Sequence, residues 1–179
     1  MRATIILMNK HLKTKLAEAV KDFRLPKYRD LPDMGLYLEQ TAKYINVYLT
    51  SLGCGEITTS MISNYVKKGF IAAPVKKQYY ADQIAHLMVI AIVKNVVSME
   101  NIAKLFKIQE KLYPSHQAYD YFCDELENCL MYIFGLKPEM DVVGLNNTDE
   151  KLLIRGIVIS VCYRLHLNIL MEHMAAEEE

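Results

Sequence analysis

Apolar residues recur at helical spacing along most of the chain and predict an all-α protein. The first predicted helix, about 4–23, ends before a proline because the residue preceding proline disfavours helical geometry. The second, about 34–51, follows a charged loop with two prolines, and Asp33 is its expected N-cap. Its apolar stripe consists of Leu38, Ala42, Ile45 and Leu49. Both segments are therefore predicted to be amphipathic helices with one face packed against a core.

Residues 56–80 predict a short helix followed by a β hairpin. Thr58 or Thr59 is the expected N-cap, and Gly69 is expected to end the helix. The predicted inner face is Met61, Ile62, Tyr65 and Val66. The predicted outer face is Thr59, Ser60, Ser63, Asn64, Lys67 and Lys68. After Pro74, the run Lys76, Lys77, Gln78, Tyr79, Tyr80 combines β-propensity with positive charge and predicts a small wing with a basic tip.

The rest of the chain predicts further helices at about 82–97, from Ser98 to about 106, at about 115–134 and at about 148–174. The last is apolar nearly all round, which predicts a place in the middle of a helical bundle or at a dimer interface. We interpret it as a buried core helix because Arg155 and Arg164 would be costly in a bilayer. The predicted units are 1–108, with the N-terminal helix and the wing, and 109–179, a C-terminal helical bundle for dimerisation or sensing.

The net charge of zero conceals two halves of opposite sign. Residues 1–111 contain 17 basic and 9 acidic residues, a net charge of +8, while residues 112–179 contain 4 basic and 12 acidic residues, a net charge of −8. A basic half suits a polyanionic partner. The alternative is that solvated lysines happen to cluster in this half.

The sequence carries no recognisable set of catalytic or metal-binding residues. The five histidines are scattered, and none of the motifs of serine hydrolases, P-loop enzymes or dinucleotide-binding proteins is present. The four cysteines form no CxxC pair and are expected to be buried and reduced. The apolar run near the N-terminus is too short for a signal-peptide core. We therefore expect a cytoplasmic protein that is not an enzyme and holds no metal or cofactor.

The segment ISNYVKKGFI, with the proline, tyrosine pair and helix that follow it, resembles the MerR-type winged helix-turn-helix regulators over about 56–106. The matching positions are Tyr65, Lys67, Lys68, Gly69, Phe70, Ile71, Pro74, Tyr79, Ile84 and Leu87. The resemblance implies that Tyr65, Lys68 and Tyr79 brace the recognition helix and touch the phosphate backbone. Ser63 and Asn64 stand where that family usually has arginine and tyrosine, so its base contacts do not transfer.

A longer span, from LPDMGLYLEQTAKYI through SMISNYVKKGFIAAPVKKQYYADQIAHL, is similar to the domain of unknown function 1836 family of low-GC Gram-positive bacteria. That resemblance implies a bacterial cytoplasmic protein and no particular activity.

Together these features predict sequence-specific binding to double-stranded DNA by a homodimeric transcriptional regulator. The helix would present Thr59, Ser60, Ser63 and Asn64 to bases, and the lysines at 67, 68, 76 and 77 would contact phosphate. Two alternatives stay open. One is a protein-interaction module that keeps the winged fold without binding DNA, and the other is a small-molecule sensor with an apolar cavity in the C-terminal bundle.

Overall fold

The computed structural model describes residues 10–144 and 148–176, and this part of the chain is mostly helical. Its helices are α1 (Lys10–Val20), α2 (Leu38–Ser51), α3 (Thr59–Lys67), α4 (Ala81–Val93), α5 (Met99–Leu112), α6 (Ser115–Ile133) and α7 (Asp149–Ala176). Two short strands, β1 (Leu36–Tyr37) and β2 (Gln78–Tyr79), pair antiparallel. The prediction of an all-α protein is confirmed. The part of the first predicted helix before residue 10 lies outside the described residues.

Helix α4 occupies the centre of the fold. Nine of its 13 residues are buried, from Gln83 to Val93, because it is apolar on nearly every side. Helices α2, α6 and α7 pack around it and complete one continuous core. The predicted DNA-binding unit and the C-terminal helices therefore share this core. Helix α1, which we had grouped with the 1–108 unit, packs instead against α6 and α7.

Helix α7 is not the buried core helix that the sequence predicted. Its buried side consists of Val158, Val161, Cys162 and Leu165. The opposite side is exposed and includes Leu152, Tyr163, Leu167, Met171 and Met174. An amphipathic pattern was invisible in the sequence because apolar residues cover both sides. By length and composition alone, the helix at 149–175 is long and apolar enough to cross a membrane. Of its most apolar stretch, 22% is buried in the fold.

A buried ion pair joins α7 to α6. Glu125 is fully buried, and its carboxylate accepts hydrogen bonds from Arg155 Nη2 at 2.8 Å and from the Tyr121 hydroxyl at 2.8 Å. Arg155 also donates to the carbonyl oxygen of Asp141 at 3.3 Å. Because the buried carboxylate has several donors, the pair is satisfied inside the fold and fixes the register between the two helices.

Two predicted boundaries are corrected by contacts that the sequence does not display. Helix α2 begins at Leu38 rather than at 34, because the residues before it form β1. Asp33 accepts from the backbone N–H of Met34 and does not cap α2, whose first turn is closed by Gln40 Oε1 accepting from Tyr37 N at 2.9 Å. Helix α5 continues to Leu112, well beyond the predicted end near 106, and Ser98 caps it as expected.

Truncating a side chain of α4 tests its central role. Ile90 is fully buried, so Ile90→Ala should lower the free energy of unfolding by about 2–5 kcal/mol through lost burial and a residual cavity. Ile108 is 44% exposed, so Ile108→Ala should cost less than about 1 kcal/mol. Urea unfolding followed by circular dichroism measures both variants. Equal losses would contradict a core centred on α4.

Candidate nucleic-acid interface

Helix α3 has the boundaries and the inner face that the sequence predicted. The Thr58 hydroxyl oxygen accepts from the backbone N–H of Met61 at 3.2 Å, so Thr58 is the N-cap. At the other end Gly69 adopts a φ of 72°, a left-handed conformation that suits glycine after a helix. Ile62 and Tyr65 are buried, and α3 packs against α2 through this side.

Asn46 of α2 fixes where α3 begins. Its Oδ1 accepts from Ile57 N at 2.9 Å, and its Nδ2 donates to Ile57 O at 3.0 Å. The amide therefore satisfies both backbone groups of the residue just before the N-cap. This contact holds the start of α3 against α2 across a connecting segment, 52–58, that has no regular structure. Asn46 lies outside the predicted apolar stripe of α2, and a single sequence gives no signal for this pairing.

The predicted outer face of α3 is turned to solvent. Ser60, Ser63, Asn64, Lys67 and Lys68 are exposed, and Thr59 is half-buried. In the part of the chain that the structure describes, none of these six side chains has a hydrogen bond or ion pair with another residue. The helix thus presents free hydroxyl, amide and ammonium groups on one side.

Where the sequence predicts a wing, the chain makes a tight turn, which we call the lysine hairpin (Val75–Gln78). Val75 N donates to Gln78 O at 3.0 Å, and Gln78 N donates to Val75 O at 2.9 Å. The two residues between them, Lys76 and Lys77, have φ values of 49° and 66°. This is the pattern of a type I′ turn, which normally takes Asn-Gly. Among the described residues these lysines are the two non-glycine positions with positive φ.

Pairing of β1 with β2 decides which tyrosines face outward. Leu36 lies opposite Tyr79, which is 4% exposed, while Tyr37 lies opposite Gln78 and is 55% exposed. Tyr80 is 38% exposed. We had taken Tyr65 and Tyr79 as residues that brace the helix and touch phosphate. Both rings are buried, which raises the pKa of each hydroxyl, so their place in the site is that of packing residues.

The exposed aromatic residues Tyr37 and Tyr80 were missed by sequence reasoning. The local sequence signal for Tyr80 is the two-residue period of a strand, in which Tyr80 faces solvent once Tyr79 faces the core. Whether Tyr79 or Tyr80 is the buried residue depends on the pairing of Tyr79 with Leu36, which lies more than forty residues earlier in the chain.

Among the described residues, two cations of the basic half form ion pairs with carboxylates of the acidic half. Carboxylates of α6 pair with the loop after α1, through Asp124 with Lys27 and Glu127 with Arg24. The Asp120 carboxylate accepts from the backbone N–H of Tyr28 at 2.7 Å. Residues of the acidic half therefore lie directly against part of the basic half.

The lysines of α3 and of the lysine hairpin keep their charge free. Residues 57–81 contain Lys67, Lys68, Lys76 and Lys77 and no aspartate or glutamate. No carboxylate of the described residues lies within ion-pair distance of any of the four. Seven residues lie between Lys68 and Lys76, so their Cα atoms can be at most about 29 Å apart. This backbone span is comparable to one turn of a DNA duplex, which is about 34 Å long.

The lysine hairpin should be locally strained, because left-handed backbone costs an ordinary L-residue about 1 kcal/mol or more. Replacing Lys76→Asn together with Lys77→Gly should therefore raise the free energy of unfolding by about 1 kcal/mol. The same replacements at two helical lysines, Lys104→Asn with Lys107→Gly in α5, should lower it by a similar amount. Urea denaturation compares the two double variants. A hairpin variant that is less stable than the parent would show that the turn is not strained.

Comparison with known proteins places this interface within a defined family. No curated protein and no solved structure matches the chain significantly. Residues 26–122 match the family described as Domain of unknown function (DUF1836). The match includes α2, α3, the lysine hairpin and α4 and covers more than half of the chain. The chain therefore belongs to the domain of unknown function 1836 family.

Proposed function

We propose that this protein binds double-stranded DNA with sequence preference and acts as a transcriptional regulator whose core is a MerR-like winged helix-turn-helix. In this proposal α3 enters the major groove and the lysine hairpin is the wing. Hydroxyl and amide groups of Ser60, Ser63 and Asn64 meet base edges, and the lysines meet phosphate. The proposal also includes that the protein is not an enzyme and that it is located in the bacterial cytoplasm.

The observation that carries the proposal is the lysine hairpin. Lys76 and Lys77 occupy two adjacent left-handed positions, where Asn-Gly would be favoured, and neither has a carboxylate partner in the described chain. Residues held in unfavourable backbone conformations cluster at functional sites. Two exposed cations in left-handed backbone conformation fit a role on a phosphate backbone better than a role in folding.

The alternative is that this surface binds a protein. The exposed apolar side chains beside the lysine hairpin favour it, since Met34 is 78%, Val75 57% and Tyr37 55% exposed. Exposed apolar groups near charged ones are typical of protein interfaces. The two functions differ in salt dependence, because only binding to a polyanion releases condensed counterions.

Binding to DNA should weaken steeply as salt rises. Lys67→Ala with Lys68→Ala should lower affinity and flatten the slope of log K against log salt by up to about 2, because two phosphate contacts are lost. Fluorescence anisotropy with duplexes selected from a random library measures both quantities. Lys107→Ala with Lys111→Ala, on α5, is the matched control and should leave the slope unchanged. Absence of salt-sensitive binding to any selected duplex would favour the protein-interaction alternative.

The proposal includes a homodimer formed through α7. Its outer face, the α7 stripe, consists of Leu152, Gly156, Ser160, Tyr163, Leu167, Met171 and Met174, all of them exposed. No charged residue belongs to it, and it runs along about 33 Å of the helix. A monomer rarely leaves an apolar strip of this length in water.

The α7 stripe is self-complementary under a two-fold axis. An antiparallel pair of α7 helices crossing between Val161 and Cys162 would place Gly156 opposite Leu167 of the second copy. The same register sets Ser160 opposite Tyr163, so small residues face large ones along the strip. Such an isologous contact suits a second copy of this chain. A lipid environment suits the helix less well, since Arg155 and Arg164 lie in its middle.

Leu167→Glu should convert the dimer into a monomer. Leu167 is 56% exposed, so the charge is harmless in a single chain but unpaired and buried in the proposed interface. Sedimentation velocity measures the mass of each species. Val142→Glu, at a 73% exposed loop position, is the control and should remain dimeric. A monomeric parent protein would refute the dimer, and an unchanged dimer of the variant would refute the α7 stripe as its interface.

A further inference from the structure

A cleft of about 450 Å³ opens between α5, the first turns of α6 and the start of α7. Its apolar wall is formed by Leu105, Ile108, Leu112, Ala118, Leu153 and Ile154. Ile108 is 44%, Leu112 51% and Leu153 49% exposed, so apolar side chains on two sides of the cleft are left uncovered. Water in a concave site of this kind is readily displaced by an apolar molecule, and both the volume and the lining are those of small-molecule sites.

The charged residues of the lining lie together at the start of α7 and favour neither an anion nor a cation. Asp149 and Glu150 contribute two negative charges, and Lys151 contributes one positive charge. Hydrogen bonds from its own backbone N–H and from the Thr148 hydroxyl lower the pKa of the Glu150 carboxyl group, so this carboxylate already has donors. The Lys151 ammonium lies 5.3 Å from the centre of the Tyr121 ring and occupies the face that a ligand cation would use. A carboxylate would therefore meet net negative charge, and an ammonium group would meet Lys151.

The remaining polar groups of the lining are uncharged and lie on α5, on α6 and between them. Gln109 Nε2 donates to the carbonyl oxygen of Tyr113 at 2.8 Å. The Tyr113 hydroxyl and the Gln117 amide have no hydrogen-bond partner among the described residues. These two groups can serve one uncharged polar group of a ligand as donor or acceptor.

We infer that this cleft binds an uncharged, mainly apolar small molecule, with its hydrocarbon part between α5 and α7. The apolar wall accounts for the hydrocarbon part, and the opposed charges at the start of α7 account for the absence of a charged head group. A second copy of this chain fits the cleft less well, because helical spacing places Lys151 and Ile154 on the side of α7 opposite the α7 stripe. The site therefore lies apart from both the proposed dimer contact and the candidate nucleic-acid interface.

Four probes test the chemistry of the occupant: 1-hexanol, 1-octanol, octanoate and octylammonium, titrated calorimetrically into the full-length protein. Each methylene group that enters the cleft should strengthen binding about two- to fourfold, so 1-octanol should bind about 4- to 16-fold more tightly than 1-hexanol. Octanoate and octylammonium should each bind at least about threefold more weakly than 1-octanol, because their charged heads lose hydration without gaining a partner.

A pair of double variants tests the site. Ile108→Asn with Leu112→Asn makes the α5 wall polar at two partly exposed positions and should lower the affinity for 1-octanol at least about threefold. Leu136→Asn with Val142→Asn changes two exposed apolar residues outside the cleft and should leave the affinity unchanged. Equal losses in the two double variants would overturn the inference.

The location is tested independently of any substitution by methyl NMR spectra of the unmodified protein. 1-Octanol should shift the signals of Leu105, Ile108 and Ile154 and leave those of the α7 stripe, such as Leu167, in place. The inference is overturned if either charged probe binds as tightly as 1-octanol, if the longer alkanol gains nothing over the shorter, or if no alkanol binds at millimolar concentration. Shifts confined to the α7 stripe would equally overturn it. DNA binding and dimer formation are measured separately and can succeed or fail without changing any of these results.

Discussion

Burial of α4 is the constraint on which the rest of the structure depends. A helix that is apolar on nearly all sides must be surrounded, and α2, α6 and α7 surround it. The candidate interface depends on the same helix, because Gln83 in its first turn donates to the carbonyl oxygens of Ala72 and Ala73 at 3.1 and 2.8 Å. Its Oε1 accepts from Tyr80 N at 2.8 Å. One buried amide therefore anchors both ends of the segment that carries the lysine hairpin.

Ion pairs between the basic and the acidic half of the chain change the charge distribution that the composition alone suggests. The composition contrasts a basic segment with an acidic one, but Arg24 and Lys27 lie against carboxylates of α6, and Arg155 lies against the buried Glu125. The partly exposed pairs of Arg24 and Lys27 contribute little to stability, whereas the Arg155–Glu125 pair is buried. Each of these pairs cancels one positive charge of the protein. Among the cations that have no ion-pair partner in the described chain are the four lysines of segment 57–81, which contains no carboxylate.

The parts of the fold that the sequence predicted are those set by neighbouring residues. The cap at Thr58, the inner face of α3 and the cap at Ser98 follow from spacings of a few residues, and the structure has all three. The parts it did not predict depend on distant partners. Pairing of Leu36 with Tyr79 selects the buried tyrosine, and Asn46 meets a backbone eleven residues away. Helix α7 gave no indication of its exposed side, because its apolar residues are spread around the whole helix and its polar residues do not gather on one face.

Helix α7 brings three surfaces of the protein together. Its inner side packs in the core through Val158, Val161 and Cys162, and its outer side is the α7 stripe. Its first turns line the apolar cleft of about 450 Å³ between α5, α6 and α7, and Leu153 belongs both to that cleft and to a smaller groove lined by Val97, Leu152 and Gly156. Two members of the α7 stripe, Leu152 and Gly156, therefore border the same groove as a cleft residue. Because the ion pair of Arg155 with Glu125 ties this part of the helix to α6, a second protomer on the α7 stripe would contact turns adjacent to those that are held against the core.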